Sequence, residues 1–106
     1  MSYRYMRVIV LFDLPMVTSK ERKSYRYFRR FLLKSGFIML QQSVYSKLAH
    51  NPTVANTIAN NVREEAPEKG LVQLLIITEK QFARMEYVVG EQHTGTLDSI
   101  DRVVIL

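Results

Sequence analysis

Short apolar runs alternate with amphipathic stretches in the order strand–helix–strand–strand–helix–strand, an order that predicts an α+β fold of the ferredoxin-like type. Two further observations agree with it. Both helical stretches carry their own capping residues, and the two longest strand candidates are apolar on both sides. The chain has 106 residues, without an internal repeat or an interrupting linker. Residues 1–106 are therefore expected to form one domain, with a core over residues 1–79 and a C-terminal, dimer-associated extension over residues 80–106.

The elements follow in chain order. Met6 to Asp13 is β-rich and apolar, and Pro15 ends it in a loop. Thr18 and Glu21 form a capping-box pattern ahead of a helix over residues 19–34, and Gly36 stands where a left-handed residue closes the helix. Phe37 to Leu40 and Ser43 to Leu48 read as a hairpin turning at Gln41 and Gln42. Asn51 and Pro52 then start a second helix, whose Ala55, Ile58, Ala59 and Val62 recur at helical spacing, and Pro67 ends it. Leu71 to Thr78 is the next strand. Glu86 to Val89 and Arg102 to Leu106 read as short additional strands.

In the first strand Met6, Val8, Val10 and Phe12 point one way, while Ile9 and Leu11 point the other. The ferredoxin-like order puts both helices on one face of the sheet, so the opposite face needs cover that one chain is too short to supply. A sheet-to-sheet homodimer is the expectation, with the C-terminal strands helping to cover or extend the partner's sheet.

Composition narrows the chemistry. There is no cysteine, which excludes disulfides, thiolate zinc sites and cysteine nucleophiles, and fits a reducing, cytoplasmic address. The apolar runs are too short to span a membrane, and no targeting segment is evident. The net charge of +5 is unevenly distributed: residues 1–50 hold ten Lys or Arg against two acids, and residues 51–106 hold five against eight. Basic charge gathered in one half points to a polyanion, with an ordinary solvated surface as the alternative.

The first helix concentrates that charge. At about 100° per residue, Arg22, Lys23, Arg26, Arg29, Arg30 and Lys34 share one arc, while Tyr25, Phe28, Phe31 and Leu32 share another. The aromatic stripe reads first as core; stacking of bases is the sharper alternative. The cations repel one another at three- and four-residue spacing, with only Glu21 nearby to compensate. They suit contacts to nucleic-acid phosphates, with weak sequence preference and steep salt dependence. Arg4, Arg7 and Lys47 are candidates to add to them.

Asp13 follows the first strand directly. It is either a routine turn residue or, doubled across a two-fold axis, half of a carboxylate pair for a hard cation such as Mg²⁺. His50 and His93 stand alone and lack ligand spacing. Ser43 and Tyr45 could present hydroxyls near a sheet edge, but no nucleophile–base pair can be assembled. Glu64 with Glu65, and Asp98 with Asp101, read as solvated charge, and Gly70, Gly90 and Gly95 do not form a phosphate-cradling loop.

The stretch from Val8 to Pro15, the basic helix from Glu21 to Leu33, Gly36-Phe37 and the segment Gln42 to Lys47 resemble the Cas2 family of CRISPR systems. The segments Thr78 to Phe82 and Gly90 to Gln92 are similar to the variants of type II-A loci. The resemblance covers nearly the whole chain in matching order. It implies a ferredoxin-like homodimer in spacer acquisition, bridging two dimers of the integrase Cas1 and holding a prespacer DNA duplex across its surface. It also implies metal-dependent endonuclease activity on RNA or DNA, with Asp13 matching the aspartate that binds Mg²⁺ and acts as the catalytic residue. Many members carry a second acid shortly after that aspartate. Here Leu14, Pro15, Met16 and Val17 stand instead, which weakens the nuclease expectation and leaves the structural one intact.

Overall fold

The computed structural model describes residues 5–91. Its elements are β1 (Met6–Asp13), α1 (Ser19–Lys34), β2 (Ile38–Gln41), β3 (Val44–Ala49), α2 (Pro52–Glu65), β4 (Leu71–Thr78) and a single turn of helix, α3 (Glu79–Phe82). The strands form one antiparallel sheet in the order β2-β3-β1-β4, which is the ferredoxin-like arrangement expected from the sequence.

The local signals act as read. Thr18 accepts the Glu21 amide at 3.1 Å, and the Glu21 carboxylate accepts the Thr18 amide at 3.0 Å, completing the capping box. Asn51 caps α2 by accepting the Val54 amide at 2.9 Å, and Pro52 occupies the first turn, where no amide is missed. Gly36 closes α1 at φ +94°, a conformation that a side chain would strain.

Both helices lie on one face of the sheet. Their apolar stripes, Phe28 and Leu32 from α1 and Ala55, Ile58, Ala59 and Val62 from α2, are buried with Val8, Val10, Phe12, Phe37, Tyr45 and Ala49. Phe12 sits amid aromatic rings: edge-on to Phe28 at 5.3 Å, edge-on to Tyr25 at 6.0 Å and stacked on Tyr45 at 5.7 Å. The aromatic stripe of α1 therefore packs on the core, with Phe28 and Leu32 buried and Tyr25 and Phe31 partly buried against it.

The register fixes the other face. Ile9 lies between Ser46 and Leu75, Leu11 between Val44 and Gln73, and Asp13 beside Leu71. Partners across antiparallel strands share a face, so these side chains point away from the helices. Leu71 is 52% exposed and Leu75 49% exposed there. Ile9 is nevertheless buried. After β4 the chain turns through α3, and Phe82 and the residues after it lie over Arg7, Ser46 and Ile38 on this face. The single chain thus covers part of its own outer face.

Two sequence expectations are corrected. The hairpin turns at Gln42 and Ser43 rather than Gln41 and Gln42: Ser43 takes φ +66° and its carbonyl accepts the Phe12 amide at 3.1 Å. Glu86 to Val89 is not a strand among the described residues. Strands need a bonded neighbour, and α3 has already turned the chain off the β4 line, leaving Val88 and Val89 exposed. The helical turn α3 is an addition to the expected elements. The stretch Arg102 to Leu106 lies outside the described residues.

Candidate nucleic-acid interface

All six cations of the arc are exposed on α1, on the side opposite Phe28 and Leu32. Burial of the aromatic stripe determines this: once those side chains are inward, 3.6-residue geometry turns Arg22, Lys23, Arg26, Arg29, Arg30 and Lys34 outward. Arg22, Arg26, Arg30 and Lys34 follow at four-residue steps, a run of about 18 Å at 1.5 Å per residue.

The cations are not equivalent. Arg22 turns back, donating to the Val17 carbonyl at 2.7 Å and the Met16 carbonyl at 3.3 Å. Glu21 holds the same loop from its amide side, accepting from Val17 and Thr18 at 3.0 Å each. The amide of Thr18 is the main reason why the Glu21 carboxyl is held below the usual glutamate range, with Val17 and nearby Lys69 acting in the same direction. Glu21, the acid within α1 itself, is therefore engaged in capping. Among the described residues, Lys23, Arg26, Arg29, Arg30 and Lys34 form no side-chain hydrogen bond or ion pair.

Two proposed additions to the arc are elsewhere engaged. Arg7 forms a two-toothed ion pair with Glu79, at 2.8 and 2.5 Å, and lies 4.3 Å from the Phe82 ring centre, on the outer sheet face. Lys47 donates to the Ser35 carbonyl and so neutralises the negative end of α1. Neither is a free phosphate ligand. Arg4 lies outside the described residues.

Asp13 is exposed at the end of β1. Its backbone is closely matched by Gly70: a Cβ there would stand 3.0 Å from the Asp13 carbonyl and 2.8 Å from Leu14 Cδ2. The described residues contain no group of three or more His, Asp or Glu side chains able to hold a metal. One carboxylate supplies at most two of the six oxygens that Mg²⁺ takes. The described residues of a single chain therefore do not by themselves fit the ion.

The remaining candidates resolve simply. Tyr45 is buried in the core on an interior strand, so it presents no hydroxyl at an edge. Ser43 lies in the hairpin turn. His50 is exposed and packs edge-on to Tyr5 at 5.6 Å. His93, Gly95, Asp98 and Asp101 lie outside the described residues. Glu64 is exposed, but Glu65 has a partner that the sequence did not indicate: it accepts the Tyr27 hydroxyl at 2.7 Å, joining α2 to α1. No sequence pattern links residues 27 and 65, and the same holds for 7 and 79.

Fold and site together define a small ferredoxin-like domain whose first helix presents cations without acidic partners among the described residues. The family model for CRISPR-associated protein Cas2 matches residues 6–85. A protein of Treponema denticola named CRISPR-associated endoribonuclease Cas2 is 50% identical over 101 residues, covering 95% of this chain and all of that relative. Relatives of the same name from Streptococcus mutans and Ligilactobacillus salivarius are 50% and 43% identical, each over 95% of this chain, covering 93% and 100% of their own lengths. The chain belongs to the Cas2 family of CRISPR defence proteins.

Proposed function

We propose that the protein is a homodimeric scaffold of CRISPR spacer acquisition in the cytoplasm, binding a prespacer duplex by its phosphates and bridging dimers of the integrase Cas1. The observation that carries this reading is the run of exposed cations on α1 without acidic partners among the described residues. Such a surface stays self-repelling until a polyanion neutralises it. The half-exposed Leu71 and Leu75 on the outer sheet face favour a second copy there, with residues 80–106 as the dimer-associated extension. Doubling α1 by a two-fold axis gives two ridges, which suits an extended duplex better than a small ligand.

The test is duplex binding by R26E/R30E. Binding is lost while the circular dichroism spectrum and melting transition remain those of the parent. Unchanged binding removes the reading. Pull-down of Cas1 tests the bridging role separately.

A second reading is favoured by the relatives' name, endoribonuclease. In it, Asp13 of both protomers holds Mg²⁺ for cleavage of single-stranded RNA or duplex DNA. Because one chain's described residues do not fit the ion, this reading stands or falls with the dimer. Its test is cleavage that is abolished both by chelator and by Asp13→Asn.

A further inference from the structure

Tyr27 belongs to neither arc of α1. It stands at the border of the cationic face and is 56% exposed, although its hydroxyl is anchored to Glu65 on α2. The neighbouring carboxylate accepts that hydrogen bond and raises the tyrosine's pKa, so the group stays a neutral donor. An aromatic ring fixed at both ends and still open to water is preorganised for contact. Bridging two helices does not itself require an exposed ring.

Its surroundings are cationic on the ridge side. Lys23 precedes it by four residues and Arg30 follows by three, the positions that neighbour it on a helix surface, and Lys20 and Lys34 stand two turns away along the same side of the helix. Beside the ring opens a cleft of about 460 Å³ between α1 and the end of α2. Leu14, Pro15, Phe28, Ala66 and Pro67 contribute its apolar lining, and Lys20 and Lys69 its cations. Of the carboxylates there, Glu21 caps its own helix and Glu65 holds Tyr27. Glu68 is the third.

We propose that Tyr27 is a stacking platform for an unpaired nucleobase, which it takes into this cleft while the adjoining phosphates lie on the α1 cations. An aromatic face flanked by lysines and arginines, beside an apolar recess, is the chemistry by which single-stranded nucleic acid is held without sequence readout. This reading rests on the duplex-scaffold proposal and extends it. The duplex is gripped by the ridge, and an unpaired end or displaced nucleotide is received at its edge.

The experiment compares a blunt DNA duplex with the same duplex bearing a short unpaired end that contains 2-aminopurine, at one salt concentration. The parent protein should bind the tailed duplex about tenfold more tightly and quench the 2-aminopurine fluorescence by stacking. Tyr27→Ala should lose both the advantage and the quenching while binding the blunt duplex like the parent. Tyr27→Phe should keep both, since the ring remains. An advantage that survives Tyr27→Ala overturns the proposal. So does parent protein that binds the blunt duplex yet leaves the fluorescence unmoved, as a cleft reserved for a protein segment would. If the parent binds neither duplex, the scaffold reading itself fails.

Discussion

The guanidinium of Arg7 is clamped by the Glu79 carboxylate through two hydrogen bonds, tying the first strand to the chain just beyond the last one. The side chains are only 14% and 33% exposed, and Arg7 also lies over the Phe82 ring. The Glu79 amide donates to the Tyr5 carbonyl at 2.9 Å, so side chains and backbone fix the same junction. This clamp directs the chain after β4 across the outer sheet face.

Arg7→Ala is expected to destabilise the fold by about 2 kcal/mol, the range for charge-assisted hydrogen bonds that lose one partner. The urea midpoint should fall with little change in slope. Amides of residues 79–87 should exchange faster than those of α1. Arg7→Lys should recover only part of the loss, because an ammonium keeps the charge but not the planar fork.

Sequence reading succeeded where the determinants are neighbours in the chain. Thr18 with Glu21, Asn51 with Pro52, and the spacing of Ala55, Ile58, Ala59 and Val62 each fix a local hydrogen bond or one helix face. It failed where partners lie far apart: Arg7 and Glu79 are separated by 72 residues, and Tyr27 and Glu65 by 38. Thr78 and Gln81 form a second capping box, and the same pattern was legible there. The helix it starts has only four residues, too short for an apolar period to mark it. Val88 and Val89 misled for the opposite reason, since strand propensity expresses itself only beside another strand.

Gly70→Ala tests the turn that aligns the end of β1 with the start of β4. The residue has φ +98°, and a methyl group would press on Leu14, Pro15 and the Asp13 carbonyl. A loss of about 2 kcal/mol is expected from the left-handed backbone alone, and the contact adds to it. If Asp13 has a metal-dependent role, this variant should depress it without touching the carboxylate. Thermal melts and cleavage assays on the same preparation separate the two effects.

The α1 capping box should carry a pH signature. Glu21 has a folded-state pKa below its ordinary value, chiefly through the Thr18 amide, so its contribution is complete above that ordinary value. It is lost as the pH falls through the depressed folded value. Glu21→Gln should therefore narrow the stability difference between neutral and acidic solution, measured by urea midpoints. Thr18→Ala should cost about 1 kcal/mol and weaken the same dependence.

Salt dependence separates the cations of α1. Each phosphate neutralised on B-DNA contributes about −0.9 to the slope of log K against log salt. Arg26 and Arg30 form no side-chain bond among the described residues, so in a dimer R26A/R30A should flatten the slope by about 3 to 4. Arg22 differs, because its guanidinium already donates to the Val17 and Met16 carbonyls. Arg22→Ala should change the slope by less than Arg26→Ala and should also loosen the loop before α1, visible as faster amide exchange at Val17 and Thr18. Equal slopes for the two single variants would mean that Arg22 leaves the loop to meet the duplex. Salt slopes that none of these substitutions alters would place the DNA on another surface.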